Sequence, residues 1–236
     1  MIAKNNYIAA DMHCHTLVSV HAYHTLDEMI AQANKIGLKA FAVTDHGPAM
    51  QDAPLLCHFE GLHTLPDYME GVRVYKGVEA NIIDFNGNTD IPESVLKSLE
   101  WVIASFHEEV CPHGTFEQHT DAYLKLAENP YIKVIGHSAG DYCYDHQKVL
   151  PVFKQKGILV EINKNQALLP SCKELAQCCM KYGVPVVVDS DAHNIYTLCD
   201  VGDAIDMLDS IGFPDELIIN KNLDRLDRWI SEHRQA

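Results

Sequence analysis

The sequence predicts an α/β protein, a seven-stranded (β/α) barrel of one domain, on three observations. Seven short runs rich in Val and Ile alternate with stretches of helical periodicity. Every run ends, at its C-terminal side, in residues able to bind a metal or a polar ligand. The length, 236 residues, suits a single domain. Near-continuous apolar runs of about six residues mark parallel strands buried on both faces. An open doubly wound sheet gathers ligands at its switch point, from a few strands. Only a barrel brings the ends of all its strands around one mouth.

The first run, residues 7–15 (YIAADMHCH), ends in His13, Cys14 and His15. Strand side chains alternate, so both imidazoles face the mouth and Cys14 faces away. His21 is too far along to share that strand and would reach the mouth from the following loop. A helix is expected over 25–37 (TLDEMIAQANKIG), with Thr25 as its cap, Glu28 completing the capping box and Gly37 ending it. The second run, 39–46 (KAFAVTDH), ends in Asp45 and His46. Asp45 either caps a helix or orients a ligand from behind. The connection 47–71, bounded by Gly47 and Gly71, is long for a compact barrel. Such a segment serves as a substrate-binding lid or as a packing insertion.

The third run, 72–81 (VRVYKGVEAN), carries Glu79 within apolar neighbours. A buried carboxylate there needs a cation or hydrogen-bond partners. Runs 101–107 (WVIASFH) and 131–137 (YIKVIGH) end in His107 and His137. Run 157–163 (GILVEIN) ends in Glu-Ile-Asn. The last, 184–193 (VPVVVDSDAH), ends in Asp191-Ala192-His193 and repeats the device of the first. Further helices are expected over 115–128, 146–156, 171–182, 200–211 and 222–233. Taken singly, each of these His and Asp residues has an ordinary structural explanation. Their coincidence at equivalent strand ends points to a metal site.

In this order, H-C-H-T-x-x-S-x-H-A-Y, T-D-H-G-P, G-x-E-A-N, S-F-H, G-H, E-I-N and S-D-A-H resemble the PHP (polymerase and histidinol phosphatase) metal-dependent phosphoesterases. The stand-alone bacterial YcdX-type phosphatases are the most similar. The resemblance covers nearly the whole chain. It implies a distorted (β/α)7 barrel with a trinuclear metal centre. It also implies that His13, His15, Glu79 and Asp191 hold one metal. Glu79 would bridge to a second, completed by His107 and His137, and His21, His46 and His193 would hold the third. Ser138-Ala139-Gly140 departs from the family's Pro-containing turn, which bears on substrate contact and not on the metals. An imidazole-rich donor set suits three divalent Zn ions, with Mn or Fe as alternatives. The expected reaction is hydrolysis of a phosphate monoester, a metal-activated hydroxide attacking phosphorus. Histidinol-phosphate phosphatase is the competing assignment within the family. An amidohydrolase-like barrel, which also opens on H-x-H and ends on Asp, is the rival outside it.

Composition limits the partners. Lys and Arg total 18 against 33 Asp and Glu, a formal net charge of −15. Such a surface repels polyanions, so nucleic acid is disfavoured as a partner and a small phosphorylated substrate is expected. Arg73, Arg225, Arg228 and Arg234 all lie away from strand C-termini, so no arginine clamp for phosphate is expected; Lys164 is the one basic candidate. The eight Cys form no C-x-x-C pair and read as reduced thiols. No run approaches the roughly 18 apolar residues of a membrane helix, and the start lacks a signal-peptide core. A cytoplasmic location is expected.

Overall fold

The computed structural model describes residues 7–233 except 20 and 52. Strand β1 (Ala10–Cys14) is followed by helix α1 (Leu26–Ile36) and strand β2 (Ala40–Val43). The 47–71 segment then folds into α2 (Leu56–Gly61), a 3-10 turn and the short β3 (Tyr68–Met69), which pairs antiparallel with the start of β4 (Val72–Asn81). After the one-turn α3 (Glu93–Leu96) come β5 (Trp101–Ser105), α4 (Phe116–Leu126), β6 (Val134–Ile135), α5 (His146–Lys156) and β7 (Leu159–Asn163). The chain ends with α6 (Pro170–Tyr182), β8 (Val186–Asp189), α7 (Gly202–Ser210) and α8 (Leu223–Glu232).

Seven parallel strands lie in the order β1-β2-β4-β5-β6-β7-β8, and β1 returns to β8 to bring the sheet nearly to closure. The architecture is the distorted (β/α)7 barrel the sequence predicts. Helix α1 starts at Thr25 with the full capping box and ends at Gly37, whose φ of 83° is the left-handed conformation that favours glycine. Six of the seven parallel strands are shorter than the apolar runs that predict them, while β4 fills its run from Val72 to Asn81 and carries Glu79 within the ladder.

Two apolar layers hold the barrel. The inner one fills it with Met12, Ala42, Tyr75, Trp101, Ile103, Leu159 and Val187, and α8 plugs its base with Leu226 and Trp229. The outer one lies between helices and sheet, with Phe41, Val74, Val78, Ile135, Val160 and Val188 facing it. That alternation of facing is why the strands read as unbroken apolar runs.

The seam between β1 and β8 is closed by side chains more than by a ladder. Asn220 accepts the Val188 N–H (3.0 Å) and donates to the carbonyls of Ala10 (2.9 Å) and Val188 (2.7 Å). Asp189 accepts the Met12 N–H (2.8 Å). Asp11 accepts the N–H groups of Ser190 (3.1 Å) and Cys199 (2.8 Å). Burial, with the Glu161 and Asp11 carboxylates nearby, pushes Asp189 well above the usual carboxylate range. No helix among the described residues is long and apolar enough to cross a membrane. The eight cysteines are free thiols.

Candidate metal centre

Each strand delivers its ligands by a local device. In β1 the pairing with β2 slips between Asp11 and Cys14, a bulge of one extra residue. The bulge lets Met12 join the inner core while His13 and His15 both reach the mouth and Cys14 packs outside. In β4, ladder pairing with β5 continues to Asn81, so Glu79 is fixed at the rim and is only 1% exposed. Gly136 precedes His137 because a Cβ there would lie 2.2 Å from Ser105 Oγ. His137 (φ 26°) and Asp191 (φ 52°) adopt left-handed backbone that non-glycine residues rarely take. Such strain is held where the surroundings demand one side-chain direction.

Glu79 is the hub of the mouth. Its Oε2 lies 2.7 Å from His46 Nδ1, 3.3 Å from His13 Nε2 and 3.5 Å from His15 Nε2. Its Oε1 lies 2.8 Å from His137 Nε2 and 3.3 Å from His107 Nε2. Asp191 Oδ1 lies 3.1 Å from His15 Nε2 and 3.6 Å from His13 Nε2. The His15 ring stacks on His46 and on His193, each with centroids 4.2 Å away. His21, exposed on its loop, stacks on His193 at 4.4 Å and lies 5.0 Å from His46. Three groups bring their donor atoms within 4.8 Å of one another: His13-His15-Glu79, His46-Glu79-His107 and His15-His46-His193. The predicted residues thus converge, with His15 and His46 shared more widely than three separate clusters require.

The donor set fits divalent cations. The buried nitrogens His13 Nε2, His15 Nε2, His46 Nδ1 and Nε2, and His193 Nε2 have no hydrogen-bond partner, although several lie close to carboxylate oxygens. A buried polar atom left unpaired costs about 1–3 kcal/mol, and a shared cation satisfies these together. Desolvation, reinforced by His46, drives His15 down to about 3, so it is a neutral imidazole with a lone pair to donate. Burial raises Glu79, but the surrounding imidazoles prevail and hold it well below the usual carboxylate range.

A second layer orients these ligands. Glu161 accepts from His13 Nδ1 (2.7 Å), which turns Nε2 toward Glu79 and Asp191. Its other oxygen accepts the backbone N–H of His137 (2.6 Å). Asn81 Oδ1 lies 2.7 Å from His107 Nδ1. Asp45 caps no helix: it accepts from Thr16 N–H and Oγ1 (2.7 and 2.8 Å) and from Ser19 Oγ (2.7 Å). Ser19 Oγ in turn accepts the His46 N–H (3.2 Å) and meets His15 Nδ1 at 3.4 Å. The sequence places Glu161 and Asn81 at strand ends but assigns neither a role. The signal was present for Glu161, a lone charge within ILVEIN, as it was for Glu79 within GVEAN.

The mouth opens into a cavity of about 600 Å3. Of the 47–71 segment, Met50 and Gln51 line it. The rest packs on the barrel flank through Phe59 and Leu62, and His58 Nε2 reaches within 3.3 Å of Asp45. Lys164 Nζ lies 3.0 Å from Asp200 Oδ2, and Lys164 is not among the lining residues. Arg73 pairs with Glu100 (2.5 Å) away from the mouth, and Arg234 lies outside the described residues.

Known proteins similar to this chain fall in one family. The PHP domain model matches residues 11–165. A protein of Acetivibrio thermocellus named "Probable phosphatase" is 38% identical over 95% of this chain and 96% of its own length. One of Clostridium novyi, also named a probable phosphatase, is 40% identical over 92% of this chain and 91% of its own. Among solved structures, histidinol phosphate phosphatase of Lactococcus lactis, complexed with Zn, L-histidinol and phosphate, superposes with a TM-score of 0.59. It is 15% identical and covers 87% of this chain and 94% of its own, which speaks for the fold. The bulged first strand, the glutamate hub and relatives matched along nearly their whole length lead to one conclusion: this chain belongs to the PHP domain family.

Proposed function

We propose that the chain is a metal-dependent phosphatase, one domain that hydrolyses small phosphate monoesters at a centre of three divalent ions, Zn first and Mn or Fe as alternatives. The observation that carries this reading is the set of buried, unpaired imidazole nitrogens converging on Glu79 and Asp191 at the barrel mouth. His13, His15, Glu79 and Asp191 would hold one ion. Glu79, His107 and His137 would hold a second. His46 and His193, with His21 above them, would hold the third. When bound, the ions supply Lewis-acid stabilisation of phosphate oxygens and hydroxide at neutral pH.

The chain's own residues keep those donors in place. Glu161 fixes His13 and the strained His137 together. Asp45, through Ser19, fixes His15 and His46. Asn163 Nδ2 (3.3 Å) and Asn165 Nδ2 (3.4 Å) donate to Asp191 Oδ2 and leave Oδ1 directed at the two imidazoles. With no arginine among the described residues that line the mouth, phosphate binding depends on the ions. Histidinol phosphate, the ester whose products the Lactococcus neighbour holds, is one monoester to assay among several.

Protein purified without added metal is expected to carry about three equivalents by ICP-MS and to hydrolyse p-nitrophenyl phosphate. Chelation should abolish turnover, and Zn, Mn or Fe should restore it. One equivalent or none, with no turnover after each metal is added back, would sink the proposal. Glu161→Gln should weaken metal retention about 10- to 100-fold in a chelator competition, because an amide NH2 offered to His13 Nδ1 favours the wrong tautomer. Unchanged retention would show that Glu161 only packs.

A further inference from the structure

We infer that the cavity beyond the metal ligands selects monoesters whose organic part carries no negative charge, with Glu109 as the residue that sets this preference. The inference rests on the phosphatase reading above and names its substrate class. Apart from candidate ligands, the described residues lining the cavity are Met50, Gln51, Glu109, Asn163, Asn165 and Gln166. Four are amides, Gln51 on the 47–71 segment, Asn163 at the end of β7 and Asn165 and Gln166 on the turn after it, able to donate to or accept from hydroxyl and amine groups. One is a carboxylate, and none is a cation.

The nearest basic residue in sequence, Lys164, is neutralised by Asp200 at 3.0 Å. Glu109 is held over the site by a tight turn, in which Val110 and Cys111 donate to the His107 carbonyl (3.0 and 2.9 Å). Its neighbour Glu108 turns instead toward His113, 3.9 Å away. The phosphate of a substrate meets cations at the ligand ring. A second anionic group on the same substrate meets Glu109 and the amides, inside a molecule of net charge −15. At about 7 Å and an effective dielectric between surface and bulk water, a unit repulsion is worth roughly three- to tenfold in binding. An ammonium group gains by the same factor.

The test is a matched two-carbon series: hydroxyethyl phosphate, phosphoglycolate and phosphoethanolamine, compared by kcat/KM at low salt on the metal-loaded enzyme. Intrinsic differences in ester reactivity cancel when each ratio is compared between variant and wild type. Glu109→Gln should raise the phosphoglycolate-to-hydroxyethyl ratio about threefold. Glu109→Lys should raise it about tenfold or more and lower the phosphoethanolamine ratio correspondingly. Higher salt should flatten these differences. Glu109 is exposed on a turn, so both variants are expected to fold; far-UV circular dichroism and p-nitrophenyl phosphate turnover check this. Ratios that do not move in either variant overturn the inference while p-nitrophenyl phosphate turnover keeps the phosphatase reading. Absence of turnover on every ester by fully loaded wild type overturns both.

Discussion

Glu79→Ala is expected to remove two of the three proposed metal equivalents and to lower p-nitrophenyl phosphate turnover by about three orders of magnitude or more. A thousandfold loss corresponds to about 4 kcal/mol of transition-state stabilisation, within what metal ions contribute to phosphoryl chemistry. The reason lies in where the carboxylate stands. Oε2 faces His13, His15 and His46, while Oε1 faces His107 and His137, so one side chain borders two of the three donor groups. Glu79→Gln separates charge from shape. It fills the same space but brings no negative charge to a ring of imidazoles, and it should lose metal nearly as completely as Ala. Metal content by ICP-MS, with circular dichroism to confirm folding, reads both. Near-normal turnover with full metal content in either variant would end the bridging assignment.

Much of this site was legible because its residues report on strand ends. A His or a Glu that closes an apolar run sits at the rim whether the strand is five residues long or ten, so shortening 131–137 to Val134–Ile135 cost the reading nothing. The helices were legible where caps marked them. Helix α5 occupies the expected 146–156, and α1 begins beside Thr25 and ends beside Gly37 as expected. Alternation alone could not place the β1 side chains. Met12 and His13 are neighbours, yet both point inward, which only the bulge against β2 permits. A bulge is set by the partner strand's register, and a single strand's sequence does not contain it.

The supporting layer was hidden for a related reason. Asp45 was open between a helix cap and a positioning role, and its partners Thr16 and Ser19 are 29 and 26 residues away. Asn81 reads as the end of a strand, and its bond to His107 depends on β4 and β5 lying side by side. Glu161 could have been found by the argument applied to Glu79, since a charge inside ILVEIN must be paired. Its partner His13 lies 148 residues earlier, so the pairing itself needed the barrel.

Asn220 shows that dependence at its extreme, and Asn220→Ala is expected to cost about 3 kcal/mol of stability. The residue lies in a 3-10 turn, in a stretch with no periodicity, and is fully buried at the seam between the first and last barrel strands. Its amide bonds the Val188 N–H, the Val188 and Ala10 carbonyls and Asp189 Oδ1, spanning up to 210 residues of sequence. Alanine leaves these groups buried beside a small cavity, and each unsatisfied group costs about 1–3 kcal/mol before relaxation. Water entering the cavity would recover part of that loss. For a chain of this size, 3 kcal/mol lowers Tm by about 6–12 °C. The measurement belongs on metal-free protein, because the C-terminal end of β1 and the segments after β1 and β8 carry His13, His15, Asp191 and His193, and bound metal would stabilise the native state by linkage. Metal-loaded Asn220→Ala should recover part of the lost Tm, since ions held by His13, His15 and Asp191 would tie the same two edges of the barrel together from the mouth. An unchanged Tm in the metal-free variant would mean that the seam is held by Asp11 and Asp189 without Asn220. In that case Asp11→Ala, which removes the bonds to Ser190 and Cys199, should produce the drop instead.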